Sequence, residues 1–150
     1  MPLPVEIARQ LTEESIAFVK RTGLKAEVMA PGHVRLVMPM AGNENHLGSL
    51  YAGALFTLAE LPGGALFLTS FDTQRFYPVV KDMHLRFRRP AVGDIRVEAR
   101  LDAQEINRLQ EQAAATGKAE YRLDLELLDS RGEIVAQSQG LYQLRRHTDS

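Results

Sequence analysis

A long apolar segment, Leu47 to Leu68, limits what this chain can fold into more than any other part of its sequence. Glu60 is the one charged residue in it, and Pro62-Gly63-Gly64 lies shortly after. A carboxylate inside a membrane span is costly, and no cluster of Lys or Arg flanks the segment. Since a helix that is apolar all round is normally buried in protein, the segment predicts a central core helix without membrane insertion.

Two residues set expectations for the shape of this helix. We expect it to open near Gly48-Ser49, where the Ser49 hydroxyl can cap it. Pro62 lacks a backbone donor and crowds the carbonyl four residues before it, which predicts a kink or a break.

A buried carboxylate is costly unless it is paired, hydrogen-bonded or protonated. Glu60 therefore needs a partner such as His84 or a sheet arginine, a route to solvent near the helix end, or a function.

The rest of the chain predicts one α+β domain over residues 1–150, with an antiparallel sheet wrapped around the central helix. Apolar residues at helical spacing predict an N-terminal amphipathic helix over Pro4–Lys20 that stops at Gly23. A short helix or long excursion is expected at Gln104–Ala115. Alternating or apolar runs bounded by turns predict strands at Leu24–Met29, His33–Met38, from Tyr77 onward, Ile95–Leu101, Tyr121–Leu128 and Ile134–Leu144. In the strand from Tyr77 onward, the alternation predicts one face formed by Val79, Lys81, Met83, Leu85 and Phe87.

Composition excludes several functional classes. The net charge of -1 at pH 7 gives no global field for nucleic acid. The chain has no cysteine, so disulfides, thiolate nucleophiles and cysteine metal sites are excluded. The histidines show no metal-ligand spacing, and we assign no metal. Early glutamates interrupt any signal peptide, so a cytoplasmic location is expected.

Three features could carry chemistry on residue type alone. Glu60 is the first. Asn45, beside His46, is the second, although an asparagine just before a helix often only closes a turn. The third is the small-residue helix entry at Gly48-Ser49 and Ala52-Gly53. Free backbone N–H groups at a helix start suit a developing oxyanion, and tight helix–sheet packing selects the same small residues.

Together these features resemble the PaaI-like hotdog thioesterases. In that group Gly-x-x-His-Gly-Gly is followed by a short apolar stretch and Leu-Ala-Asp or Leu-Ala-Glu; here the run is Gly48 to Glu60, with Tyr51 and Ala52 at the histidine and first glycine of the pair. Asn45 stands where the group has Asn or Gln. The turn Phe87–Asp94 is similar to the group's Phe-x-Arg-Pro and Gly-Asp. The residues Asn-His-Leu-Gly-Ser-Leu-Tyr, followed by Leu-Ala-Glu, are most similar to the thioesterase branch that includes the YiiD C-terminal domain.

This resemblance implies a hotdog fold and hydrolysis of a small or medium acyl-CoA at a site shared across a homodimer, or within a homotetramer. No cofactor is implied beyond coenzyme A as part of the substrate. Backbone N–H of Ala52 and Gly53 would polarise the thioester carbonyl. Glu60, contributed by the other subunit, would act as nucleophile or general base, and Asn45 would orient water or the thioester.

The remaining implied contacts concern substrate binding. Gly48 and Tyr51 are expected to contact the substrate because of their positions in the Gly48–Glu60 motif. Arg88 and Arg89, with Arg86, could hold the nucleotide phosphates of coenzyme A, or they could form a solvated strand end that discourages edge pairing.

Two other functions stay open from the sequence. A hotdog domain can bind or sense acyl-CoA without catalysis, because fold does not fix function. A hydroxyacyl-thioester dehydratase would need a histidine paired with the acid, and His46 or His84 would have to supply it.

Overall fold

A computed structural model describes residues 1–148 and contains four helices and six strands. The helices are α1 (Val5–Glu14), α2 (Ala17–Thr22), α3 (Ala52–Ser70) and α4 (Ala103–Thr116). The strands are β1 (Lys25–Ala30), β2 (His33–Met38), β3 (Phe76–Phe87), β4 (Ile95–Arg100), β5 (Lys118–Leu128) and β6 (Ile134–Arg146).

The strands form one antiparallel sheet in the order β1-β2-β4-β5-β6-β3. Helix α3 contacts every strand of this sheet. Its buried side chains join residues of all six strands in one hydrophobic core, in which Leu58 and Leu66 have no exposed surface. The predicted α+β architecture, a sheet wrapped around the apolar helix, is confirmed.

Helix α3 is the core helix of the domain. Its length and composition would also suit a membrane span, but 61% of the apolar window is buried inside the protein. The sequence predicts that a helix apolar all round is buried all round, and this prediction is wrong for one stripe. Phe56 is 43% exposed, and Glu60, Gly64 and Leu68 on the same stripe are partly exposed, because nothing in residues 1–148 covers this side of the helix.

The start of α3 differs from the expectation. The helix begins at Ala52, Tyr51 occupies the cap position in an extended conformation, and no side chain caps the helix. The predicted cap at Ser49 is wrong because the Ser49 hydroxyl accepts a hydrogen bond from the Asn45 side chain at 2.9 Å instead.

Pro62 does not break the helix. α3 runs without interruption from Ala52 to Ser70. Two tyrosine hydroxyls from the sheet donate to carbonyls on either side of the proline: Tyr142 to Glu60 and Tyr121 to Gly63. These bonds hold the helix against the sheet at the turn that the proline weakens.

Strand β3 carries a bulge that the alternating pattern did not reveal. Val80 pairs with Tyr142 on β6, whereas Asp82 pairs with the preceding residue of that strand, so Lys81 has no partner. The extra residue reverses the alternation. Val80 therefore shares the inner face with Met83, and the predicted grouping of Val79 and Lys81 with Met83 is wrong.

The N-terminal segment forms two helices instead of one. Ile16 is extended, with φ -99° and ψ 114°, and separates α1 from α2. Gly23 ends α2 with φ +78°, a left-handed conformation that favours glycine, so the predicted stop is confirmed.

We predict opposite effects for alanine at the neighbouring glycines of α3. A Cβ on Gly63 would lie 2.1 Å from the Tyr142 ring, and overpacking of this kind should lower the free energy of unfolding by about 1–3 kcal/mol. A Cβ on Gly64 would meet no atom within 4 Å, so Gly64→Ala should raise it by about 0.5–1 kcal/mol through helix propensity. Urea unfolding measures both, and a stability loss for Gly64→Ala as large as that for Gly63→Ala would contradict the packing.

Candidate active site

Asn45 organises the loop that leads into α3. Its Oδ1 accepts hydrogen bonds from the backbone N–H of Leu47 and Ser49, at 2.8 and 3.1 Å, and its Nδ2 donates to the Ser49 hydroxyl. Gly48 lies inside this turn with φ +80°, which a residue with a side chain would adopt only under strain. The Asn45 side chain therefore closes the turn, and one Nδ2 hydrogen is left over from this network.

The loop and the β3–β4 turn meet to form a cleft of about 320 Å³. The backbone N–H of Leu50 donates to the Ala91 carbonyl at 2.8 Å and fastens the two segments together. Five residues singled out from the sequence line this cleft: Asn45, Ser49, Ala52, Arg88 and Arg89. It also contains Phe87, Pro90 and Ala91, which the sequence indicated only as part of the turn, together with Leu50 and Leu55.

Free backbone donors lie at the start of α3. The N–H groups of Ala54 and Leu55 donate to the Tyr51 carbonyl, at 3.0 and 3.1 Å. Within residues 1–148, the N–H groups of Ala52 and Gly53 find no acceptor. The first turn of a helix leaves such donors unsatisfied and concentrates partial positive charge there. The Ala52 end of the cleft is therefore suited to an anion or a polarised carbonyl oxygen.

Tyr51 lies beside these donors. A Cβ placed on Gly53 would be 2.5 Å from the Tyr51 ring, so the ring packs directly over that glycine. The Tyr51 side chain is otherwise 59% exposed. It forms an aromatic surface next to the helix start.

The two arginines of the cleft already have partners on the protein surface. Arg88 donates from Nε to the side-chain oxygen of Gln137 at 2.7 Å. Arg89 forms an ion pair with Glu133 at 3.1 Å, and both side chains are about half exposed. An exposed pair of this kind contributes little to stability, so either guanidinium can exchange its partner for a phosphate at small cost.

Glu60 lies on the same helix but outside the cleft, roughly 12 Å along the axis from Ala52 at 1.5 Å per residue. Among residues 1–148 its carboxylate has neither an ion-pair nor a hydrogen-bond partner. Burial raises the pKa of Glu60. Its neighbours are the phenols of Tyr121 and Tyr142, whose own pKa values are raised mainly by burial and further by the Glu60 charge.

The partners that the sequence suggested for Glu60 lie elsewhere. His84 pairs with Gln139 in the β3–β6 register, on the opposite face from Met83, and is exposed. His46 is exposed in the loop before α3. The two tyrosines were missed as neighbours because sixty residues or more separate them from Glu60 in the chain. Within the described residues, no group of three or more His, Cys, Asp or Glu side chains could hold a metal ion.

The chain matches the family model described as "Domain of unknown function (DUF4442)" over residues 6–141. It is 72% identical to PA5026, a protein of unknown function from Pseudomonas aeruginosa named a probable thioesterase; the match covers 98% of this chain and 99% of that one, with a TM-score of 0.94. No curated protein sequence matches the chain.

Two more distant structures share the fold. A protein of unknown function from Chlorobaculum tepidum matches at 18% identity, with a TM-score of 0.81 and coverage of 95% of this chain and 94% of that one. Thioesterase HI1161 from Haemophilus influenzae matches at 15% identity, with a TM-score of 0.74 and coverage of 99% and 95%. The predicted hotdog fold is confirmed.

The raised pKa of Glu60 predicts a pH-dependent gain in stability for Glu60→Gln. The folded protein holds a proton on this carboxyl more tightly than the unfolded chain, so its contribution to stability falls as pH rises through the raised pKa. We expect Glu60→Gln to unfold at higher urea than wild type at pH 8, and this difference to shrink at pH 4, below the ordinary glutamate pKa. Glu111→Gln, on an exposed face of α4, controls for the change in net charge. A glutamine variant less stable than wild type at pH 8 would contradict this.

Proposed function

Because the chain belongs to the DUF4442 family and has the hotdog fold, we propose that it is a cytoplasmic thioesterase that hydrolyses small or medium acyl-CoA. One observation carries the proposal: among residues 1–148, α3 presents N–H donors without acceptors at its start and a carboxylate without a partner further along. These are the two elements that thioester hydrolysis needs, an electrophile stabiliser and a base or nucleophile. The name of the relative that is 72% identical supports the same reaction.

The chemical step follows from these groups. The thioester carbonyl oxygen accepts hydrogen bonds from Ala52 N–H and Gly53 N–H, which stabilise the negative charge that develops during attack. Glu60 takes a proton from water, whose oxygen attacks the carbonyl carbon; the C–S bond then breaks, and coenzyme A leaves as a thiol with that proton. Direct attack by Glu60, followed by hydrolysis of the anhydride, gives the same products. A raised pKa brings the carboxyl closer to the range in which a general base works best.

Distance argues that the two halves of the site come from different chains. Within one chain, roughly 12 Å of helix separates Glu60 from Ala52, too far for both to touch one carbonyl group. In a two-fold dimer the Glu60 of one subunit can face the Ala52 of the other.

The surface around Glu60 suits such a dimer. In the sheet of residues 1–148, the long strand β3 is an edge strand with β6 as its one neighbour. Val80 and Phe87 on β3 and Phe56 on α3 are 43–52% exposed. An unpaired edge and exposed apolar side chains next to it are what a second subunit would cover. We propose a homodimer, alone or as half of a homotetramer.

The remaining cleft residues bind the substrate in this proposal. Arg88 and Arg89 exchange their surface partners for the phosphates of the coenzyme A nucleotide. Gly48 and Tyr51 border the path to the helix start, and the spare Nδ2 hydrogen of Asn45 orients the water or the thioester.

A second candidate is acyl-CoA binding without turnover. It is favoured by the Asn45 amide, which the loop already uses for three hydrogen bonds, and by the absence of an imidazole at Tyr51. In that case calorimetry should detect acyl-CoA binding, no product should form, and Glu60→Gln should leave the affinity unchanged. No observation favours the dehydratase, since neither His46 nor His84 lines the cleft at the start of α3.

The proposed hydrolysis is tested by thiol release from a panel of acyl-CoA substrates. Wild type should release thiol, and Glu60→Gln should reduce the rate by about 10²–10⁴, the usual contribution of a general base. Glu111→Gln is the matched control and should keep wild-type activity. No thiol release by wild type across short, medium and long acyl chains would reject the proposal.

A backbone variant can test the helix-start donors. Ala52 is the first residue of α3, where proline is tolerated, and Tyr51 already has the extended backbone, φ -62° and ψ 142°, that precedes a proline. Ala52→Pro removes one N–H and should lower kcat by about 10²–10³ with little loss of stability. Ala52→Gly keeps the N–H and should stay near wild type. Equal kcat values for the two variants would exclude a catalytic role for the Ala52 N–H.

Mixed dimers of the same variants test the shared site. When Glu60→Gln and Ala52→Pro chains are refolded together, each mixed dimer contains one intact site, and about a quarter of wild-type activity should return. If both residues acted within one chain, mixing would restore nothing.

A further inference from the structure

Tyr142 touches the turn of α3 that carries Glu60. Its hydroxyl donates to the Glu60 carbonyl at 2.9 Å, and its ring is 2% exposed. The raised pKa of this phenol, caused by burial and by the Glu60 charge, keeps the hydroxyl protonated and therefore a donor.

Two glycines shape the space that the Tyr142 ring occupies. A Cβ on Gly63 of α3 would approach the ring to 2.1 Å, and a Cβ on Gly140 of β6 would approach it to 2.7 Å. The ring therefore fills a notch between helix and sheet that only residues without a side chain leave open. On its other side it stacks on Tyr121, with centroids 5.4 Å apart and planes at 16°.

The notch lies at the turn of α3 that contains Pro62. Pro62, two residues after Glu60, removes one backbone donor from the helix. The Tyr142 and Tyr121 hydroxyls attach the carbonyls of Glu60 and Gly63 to the sheet at this turn. Of the two bonds, the one from Tyr142 reaches the residue that carries the carboxyl.

We propose that Tyr142 is a positioning residue, whose hydroxyl fastens the Glu60 turn of α3 to β6 and thereby fixes where the carboxyl points. The proposal rests on the role given to Glu60 under the proposed function. It assigns Tyr142 no contact with substrate. Its effect should fall on the chemical step, which depends on the placement of the carboxyl, and should leave substrate binding unchanged.

Tyr142→Phe and Tyr121→Phe form a matched pair for the test. Each keeps its ring and loses one buried hydrogen bond to a carbonyl of α3, so both should lower Tm to a similar extent. Tyr142→Phe should lower kcat by about ten- to a hundredfold with KM within about twofold, whereas Tyr121→Phe should change neither constant by more than about twofold. Equal kcat values for the two variants, or a change confined to KM, would overturn the proposal.

A second measurement does not depend on turnover. The ¹³Cδ resonance of Glu60 should shift more in folded Tyr142→Phe than in Tyr121→Phe, because only the first variant releases the carbonyl of Glu60 itself. An unchanged resonance in Tyr142→Phe would overturn the positioning role even in an active enzyme. If the wild type is inactive, the proposed hydrolase function is rejected. The Glu60 resonance then still tests whether Tyr142 positions the carboxyl.

Discussion

The packing of α3 across all six strands is the constraint on which the rest of this structure depends. Burial of a side chain such as Leu58 or Leu66 contributes about 1.5–3 kcal/mol, and several such residues line the buried side of the helix. Their sum exceeds the penalty for one partly buried carboxylate. The fold can therefore keep Glu60 without a charged partner, with a raised pKa as the visible consequence.

The same packing sets the two ends of the candidate site. At the start of α3, the bond from Leu50 to the Ala91 carbonyl brings the Asn45 loop against the β3–β4 turn, so a cleft forms beside free N–H groups. In the middle of α3, the stripe around Glu60 stays uncovered because the sheet lies on the other side. A rigid helix keeps these two regions about two turns apart.

Much of the fold could be predicted from local patterns, and the failures share one physical cause. The core helix, the strands and the stop at Gly23 depend on nearby residues. α3 runs through Pro62 unbroken, and tyrosines from distant strands attach the surrounding turn to the sheet. The bulge at Lys81 depends on its register with β6, which alternation within one strand does not contain.

The site could be predicted in part for the same reason. Asn45, Ala52, Arg88 and Arg89 meet in one cleft because two short segments carry them and each folds locally. Glu60 does not line this cleft within a single chain. A contribution from the other subunit is implied by the family resemblance alone, because residue spacing does not tell which chain supplies a residue. The sequence pattern predicted that Glu60 lies on the apolar helix, and the structure has it there. The pattern does not show which surface faces the carboxylate.

Tyr51 stands where the PaaI-like group has histidine, and this replacement is compatible with a site in which backbone N–H groups and Glu60 have separate roles. The Tyr51 ring packs over Gly53, and a Cβ at position 53 would have to displace it. Neither residue removes a backbone donor, and alanine at position 52 keeps its N–H in the first turn of the helix. The groups that would stabilise an oxyanion are therefore main-chain atoms, which the loss of an imidazole leaves in place. What the replacement removes is an imidazole beside the donors, and in the proposed mechanism Glu60 is the group that takes the proton from water.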